Sequence, residues 1–375
     1  MKKKISILDY AGSKAGMDYY SMSLATGISK NNVEVFIYSN FENSSENFAT
    51  TVSVFKRYVN SKISKFFDAI YGNIKAAFLI KENNSEFVIM HLFVASYFSL
   101  FQFFILWVFN IKTVTIIHDV EGFDKEKFWI KNFILNNFSW KLVVHNNFSK
   151  NEVLKNNLVK NPNKIYQIKH GGFIEKFEIQ LKVDRQEALK YFELSDKDKY
   201  ILFFGQIGGN KGLEILIESM KFVSSKVKLI IAGKELKWNP FDRYQKIINK
   251  LKLNNRIIKF IRFIEDHEMH KLFSISSASI LPYTRSYQSG VLIMAMSSKL
   301  PVIVSDIAPM KEIVTHKING LVFKSTNSID LAEKINFHFN NLETNYNSYS
   351  NTAFKNIQED YSWSEIGKKY CEFIN

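Results

Sequence analysis

Short apolar runs, each followed by a loop and a helical stretch, recur along this chain, and that alternation limits its fold more than any other feature. In the first half the runs are Ile5–Leu8, Val33–Tyr38, Phe87–Met90, Thr113–Ile117, Lys141–Val144 and Ile165–Ile168. A charged stretch from Phe173 to Lys199, with a short helix expected over Arg185–Phe192, then reads as a hinge. Beyond it the pattern restarts with Tyr200–Phe204, Val227–Ala232, Ile257–Ile261, Ser279–Pro282 and Pro301–Val304, separated by helices over Leu213–Phe222, Asp242–Leu251 and His267–Ser276. Such alternation predicts parallel sheets with helices on their faces. A chain of 375 residues, 46% of them apolar, is also longer than one core usually serves. The expectation is an α/β protein of two Rossmann-like, doubly wound domains facing across a cleft, 1–180 and 181–359.

Charge and cysteine content narrow the setting. The formal net charge is +14, yet Lys and Arg are spread along the chain without a basic block, which argues against a nucleic-acid tail. An anionic membrane surface, an anionic substrate or simple solubility would each account for it. The single cysteine, Cys371, rules out an internal disulfide and fits a reducing compartment. The apolar run after Met1–Lys4 is too short for an export signal, so a cytoplasmic location is expected.

Two segments of the first half bear on membranes. Between Val54 and Phe78 the charge is nearly all positive, from Lys56, Arg57, Lys62, Lys65 and Lys75, with Phe55, Phe66, Phe67 and Ile70 interleaved. This reads either as a basic amphipathic helix lying on anionic lipid or as a helix packed on the sheet with its lysines in water. Leu92–Phe109 is eighteen residues without a charge, but strands flank it directly. A helix sandwiched within the domain, with lipid contact along one face as an option, is expected there rather than a membrane span.

Candidate site residues lie where strands end, since open parallel sheets place working groups at the carboxyl ends of their strands. The first run leads into Asp9–Gly16, a loop with Gly12 and Gly16, before a helix over Met17–Ile28. Thr113–Ile117 ends in His118-Asp119, and Lys141–Val144 ends in His145-Asn146. Each histidine is either a site residue or an ordinary structural one. In the second half, Tyr283–Asp306 reads as a loop, a helix opening near Ser289-Gly290, and a strand. Free backbone N–H groups at such a helix start suit a diphosphate.

Taken in order, several pieces of the second half carry a resemblance. Phe203-Phe-Gly205, Lys211-Gly-Leu213 and Leu216-Ile-Glu218 are followed by Leu229-Ile-Ile-Ala-Gly233, Ile280-Leu-Pro-Tyr283 and Gln288-Ser-Gly-Val291. Leu300-Pro-Val302, Glu312-Ile-Val314, Asn319-Gly-Leu-Val322 and Tyr361-Ser-Trp363 complete the order. From Tyr200 onward the chain thereby resembles a retaining glycosyltransferase of family 4, with the GT-B fold, in a branch with Gln-Ser-Gly at the donor loop. The first half agrees more weakly.

The resemblance implies a hexosyltransferase-type enzyme that moves a sugar from a nucleotide donor to a glycan or lipid-linked acceptor in cell-surface polysaccharide synthesis, with retention. The last helix, 360–375, would pack back on the first domain. Lys211 and His118 would be catalytic, and Gly16, Gly205, Gln206, Arg285, Gln288, Ser289, Gly290 and Val291 would join Lys211 on the donor. Asp119 and His145 would lie on the acceptor side. No metal or further cofactor is implied, nor a nucleic-acid partner; the partners would be nucleotide sugar and acceptor, with an anionic membrane surface the option that the basic stretch from Val54 adds. Two departures stand out. Ser286 and Met294 occupy the positions of the family's two glutamates, and Gln206 and Gly208 stand where its arginine is usual, which leaves Arg285 as a substitute cation. These departures keep open a second reading, a catalytically silent GT-B partner subunit or glycan-binding protein.

Overall fold

The computed structural model describes residues 2–12, 17–46, 48–56, 61–121, 127–177 and 183–373. It divides into two compact units, one formed by 1–171 with 360–375 and the other by 172–359.

The first unit is built on β1 (Lys4–Leu8), β2 (Glu34–Ser39), β3 (Ser44–Glu46), β4 (Ala49–Ser53), β5 (Phe87–Leu92), β6 (Thr113–Ile117), β7 (Lys141–Val144) and β8 (Ile165–Gln167). Its helices are α1 (Met17–Ser29), α2 (Lys62–Glu82), α3 (Tyr97–Val108), α4 (Phe128–Asn137) and α5 (Asn147–Lys155), with the C-terminal helix Trp363–Cys371 returning to the same unit. The strands form one sheet in the order β3-β4-β2-β1-β5-β6-β7-β8, parallel throughout except for β3 against β4. The β3–β4 hairpin is an element that the apolar pattern did not predict. Its residues, Ser44-Ser-Glu46 and Ala49-Thr-Thr-Val-Ser53, are too short and polar to read as a buried strand, as suits a sheet edge.

Burial explains the central strands. Ile5, Ile7, Phe87, Ile89, Val114, Ile116 and Val143 are almost fully enclosed and share one core with α1 and the C-terminal helix. Those two helices touch at Gly27 and Gly367: a Cβ on Gly27 would lie 1.9 Å from the carbonyl oxygen of Trp363. Only glycine permits backbones this close. The crossing seats Trp363, Ile366 and Tyr370 in the core.

In the uncharged run 92–109 the helix, α3, covers only Tyr97–Val108 and is covered on one face: Ser99, Gln102, Phe103 and Leu106 face inward, whereas Tyr97, Phe104, Trp107 and Val108 are exposed. Among the described residues no helix is long and apolar enough to cross a membrane. The basic stretch from Val54 also differs, since α2 begins only at Lys62 and Phe55 is buried outside it. Arg57 lies outside the described residues.

The second unit carries β9 (Lys199–Phe204), β10 (Val227–Ala232), β11 (Ile257–Phe260), β12 (Ala278–Leu281), β13 (Val302–Ser305) and β14 (Leu321–Phe323). Helices α6 (Ile174–Phe177), α7 (Arg185–Tyr191), α8 (Leu213–Ser219), α9 (Asp242–Lys250), α10 (Asp266–Ile275), α11 (Gly290–Ser297), α12 (Ala308–Lys311), α13 (Ser328–Asn340) and α14 (Leu342–Asp360) surround it. The order is β11-β10-β9-β12-β13-β14, all parallel. Both units are therefore Rossmann-like, and each sheet reverses its winding once, at β1/β5 in the first and at β9/β12 in the second.

Candidate functional site

Ligands of open α/β sheets bind beyond the strand ends where the winding reverses, because the connections leave in opposite directions there and open a crevice. In the second unit that point is β9/β12. Their pairing is confined to Ala278 with Ile201 and Ser279 with Leu202, whereas β9 and β10 pair over six residues. The loops after Phe204 and Leu281 consequently start from strand ends that no longer pair with one another.

Those two loops are tied together. The Thr284 N–H donates to the Asn210 carbonyl at 3.0 Å, and the Asn210 side-chain amide donates to the Arg285 carbonyl at 3.2 Å. Lys211, in the same turn, holds its Nζ 3.9 Å from the centre of the Tyr283 ring. An ammonium over an aromatic face keeps its donors available, and the contact fixes its direction. Gly212 makes the turn possible: its φ is +64°, and a Cβ would lie 1.9 Å from the Pro282 carbonyl oxygen. Ser305 Oγ donates to the Tyr283 carbonyl at 2.5 Å and anchors the loop from the far side.

The helix α11 starts from this loop. Ser289 caps it by accepting the Leu292 N–H at 3.1 Å, and at Gly290 a Cβ would meet nothing within 4 Å. The helix start thus borders open space, with the positive end of its dipole facing out. Gly205 lies close by, since a Cβ there would stand 3.1 Å from Val291. Gln206 is exposed. Arg285 is also exposed, and its guanidinium donates to the Tyr287 hydroxyl at 3.0 Å. Ser286 Oγ is turned to the Gln288 carbonyl at 2.6 Å, so this buried hydroxyl serves the loop's own backbone. The structure thus brings Gly205, Lys211, Arg285 and 288–291 to one sheet end. The one Asp-x-Asp spacing in the chain, Asp196–Asp198, precedes β9 at the opposite end, where Asp198 pairs with Lys228 at 2.5 Å.

In the first unit the reversal lies at β1/β5, and a cavity of about 240 Å³ opens there, lined by Asp9, Tyr10, His91, Phe93 and Ser96 among others. Asp9 is buried and holds the turn after β1, accepting the Gly12 N–H at 2.9 Å and the Ser21 hydroxyl at 2.7 Å. Gly16 lies outside the described residues.

From this point four successive strands each deliver a histidine: His91 ends β5, and His118, His145 and His170 follow β6, β7 and β8. Their rings run in a row, with centres 5.2, 5.5 and 5.5 Å apart. Tyr20 of α1 lies over all four at 5.0 to 6.1 Å, and Trp363 packs on Tyr20 at 5.1 Å. His91 Nδ1 is 2.9 Å from His118 Nε2, and Phe93 stacks on the His118 ring at 4.1 Å and 11°. His145 Nδ1 donates to the Ile168 carbonyl at 2.8 Å and His170 Nδ1 to the Gly171 carbonyl at 2.7 Å, which leaves the Nε2 of each as a lone-pair acceptor.

Burial disfavours protonating this row. It lowers His145 to about 3 and His170 to about 4, and lowers His91 and, further, His118, where the other histidines add to the effect. All four are neutral near pH 7. Among the described residues no group of three or more His, Cys, Asp or Glu is placed to hold a metal ion.

Asp119 is half-buried, and its carbonyl and that of Val120 each accept from the wholly buried Lys131 Nζ at 2.9 Å. That ammonium fixes the turn that presents His118. Reading strand ends found His118 and His145, and it could have found His91, had the strand been carried past Met90, and His170. Nothing in the sequence indicated Tyr20 or Lys131, which reach the row from helices.

Residues 184–355 match the family model described as glycosyl transferases group 1. An uncharacterized glycosyltransferase of Methanocaldococcus jannaschii is 25% identical over 213 residues, covering 55% of this chain and 53% of that protein. The capsular polysaccharide biosynthesis glycosyltransferase CapM of Staphylococcus aureus is 25% identical over 207 residues, covering 53% and 52%. The chain thus spans about half the length of these relatives. Among solved structures, a glycosyltransferase from Rickettsia africae superposes with a TM-score of 0.77 at 20% identity, covering 100% of this chain and 98% of that one. Anabaena HepE in complex with UDP-glucose does so with a TM-score of 0.76 at 15% identity, covering 99% of each. Residues 184–355 are thus similar to the glycosyl transferases group 1 model, and the two Rossmann-like units share the GT-B fold of these solved glycosyltransferases.

Proposed function

We propose that this protein is a hexosyltransferase-type glycosyltransferase that moves a sugar from a nucleotide donor to a glycan or lipid-linked acceptor in cell-surface polysaccharide synthesis, retaining the anomeric configuration and working at the inner face of a membrane. The observation that carries the reading is the pairing of the Lys211 ammonium with the open start of α11 at the β9/β12 reversal. The capsular polysaccharide relative and the UDP-glucose complex of HepE support the acceptor and donor classes.

In this scheme the bond between the sugar's anomeric carbon and the diphosphate oxygen breaks, and its electron pair leaves with the nucleoside diphosphate. The acceptor hydroxyl forms the new bond on the same face and passes its proton to the departing diphosphate. Lys211 and the α11 N–H groups stabilise the growing negative charge by charge-assisted hydrogen bonds, so the step calls for no metal. A neutral His118 suits a sugar hydroxyl, and Phe93 and His91 hold its ring.

The test is release of nucleoside diphosphate from a panel of UDP, GDP and dTDP sugars. Lys211→Ala is expected to lower release by about 100-fold or more, the usual cost of losing one donor to a developing oxyanion. Release at the parent rate from both Lys211→Ala and His118→Ala would sink the assignment.

A further inference from the structure

Fifteen of the twenty-one exposed large apolar side chains among the described residues lie between Ile63 and Phe133. On α2 they recur at helical spacing, Ile63, Phe66, Phe67, Tyr71, Ile74 and Phe78, on the face opposite the buried Ala69, Asn73, Ala76 and Ala77. A helix packed on a sheet with its lysines in water has one apolar face; α2 has two. The face continues across the fold. Gln102 of α3 donates to Asn73 of α2 at 3.1 Å, and Tyr97 of α3 and Trp129 of α4 have ring centres 6.2 Å apart. Between α3 and α4 runs a groove of about 620 Å³, lined by Tyr97, Phe101, Phe104, Trp107, Phe133 and Phe138 among others, with Asn137 its one polar side chain.

Charge indicates what covers this face. Helix α3 carries no ionised side chain, and the only one on α4, Lys131, is buried. The one carboxylate within the α2 stripe, Asp68, is half-buried and accepts the Lys56 N–H at 3.0 Å. Lys65 is exposed among the α2 aromatics, and Lys127 holds its Nζ 3.9 Å from the centre of the exposed Tyr97 ring. Exposed aromatics interleaved with cations, beside a groove that offers hydrocarbon contacts, match an anionic lipid leaflet.

We infer that α2, α3 and α4 seat the first unit on an anionic phospholipid leaflet, with the α2 aromatics and Trp107 and Trp129 inserted among the lipids and an acyl chain entering the α3/α4 groove. This deepens the reading of a membrane-bound acceptor and rests on it for its purpose. Binding itself is measured without any donor, so the two can fail separately.

The test uses the full chain with vesicles of phosphatidylcholine alone and of phosphatidylcholine with about one third phosphatidylglycerol. Co-sedimentation is expected with the anionic vesicles only. The triple variant Phe66→Gln/Phe67→Gln/Phe78→Gln should weaken it at least about tenfold while nucleoside diphosphate release from donor alone stays unchanged, which shows the variant is folded. Lipids brominated along the acyl chain should quench tryptophan fluorescence, and Trp107→Phe/Trp129→Phe should remove most of that quenching. The inference is overturned by equal binding to uncharged vesicles, by sedimentation indifferent to the triple variant, or by quenching that survives the tryptophan changes. Self-association of the parent chain that the triple variant abolishes, without vesicle binding, would assign the face to a second copy and overturn it too.

Discussion

At the carboxyl ends of its strands the first unit gathers four neutral imidazoles beneath Tyr20, three of them buried and His91 half-buried at a cavity, whereas the second gathers an ammonium, the open start of a helix and an exposed loop. Similar sheets, reversed once each, have thus been fitted one for uncharged and one for anionic groups. Neutral rings that both donate and accept suit hydroxyl groups, while Lys211 with backbone N–H groups suits a diphosphate. The outer surfaces differ as well. The six remaining exposed apolar side chains of the second unit are scattered from Tyr191 to Ile329, and those of the first lie mostly on α2, α3 and α4. A shared Rossmann-like plan sets where a site opens, and the side chains decide what it can hold.

The contrast is most open to attack through acid. A histidine whose folded pKa lies below its unfolded value of about 6.5 leaves the unfolded state binding more protons, so stability falls as pH drops from about 6.5 toward the folded value. For His145, lowered to about 3, the loss reaches about 3 kcal/mol by pH 4. Thermal unfolding between pH 7 and pH 4 should therefore decline less steeply for His145→Gln than for the parent. Parallel curves would mean that the row is not kept neutral. Among the described residues the second unit has two buried histidines, His338, lowered to about 4, and His270, also lowered, which do not form a row, so hydrogen exchange in acid should rise first in the first unit.

Next in size is Lys131→Met, which strips the Asp119 and Val120 carbonyls of their shared donor. About 2 kcal/mol of stability should go in urea unfolding, and transfer should fall through His118 while donor affinity holds. Phe93→Ala removes the ring stacked on His118 and should cost about 1 kcal/mol, read as a lower rate of transfer with little change in stability. Smallest is Tyr287→Phe, which removes the hydroxyl that accepts from the exposed Arg285 guanidinium and should change donor affinity by less than about threefold. A much larger change would make Arg285 a second cation on the diphosphate and widen the contrast between the units.

Much of this was legible in the chain. The parallel strands came from apolar runs, because a strand buried on both faces has little room for polar residues. The helix start at Ser289-Gly290 came from a small cap before an apolar stretch. The β3–β4 hairpin was missed because an edge strand lacks that pressure. For α3, absence of charge does not say which face is covered, and Phe104 and Trp107 stand at the surface.

By itself, the order of residues determined which segments become strands and which groups stand at their ends, since both follow from local pattern and chain direction. Only the tertiary structure decided which of those ends become neighbours. His91, His118, His145 and His170 are spread over eighty residues and form one row because β5 to β8 pair in sequence order. Their neutrality, the ring of Tyr20 above them and the buried Lys131 depend on packing against helices, and no local pattern encodes that enclosure.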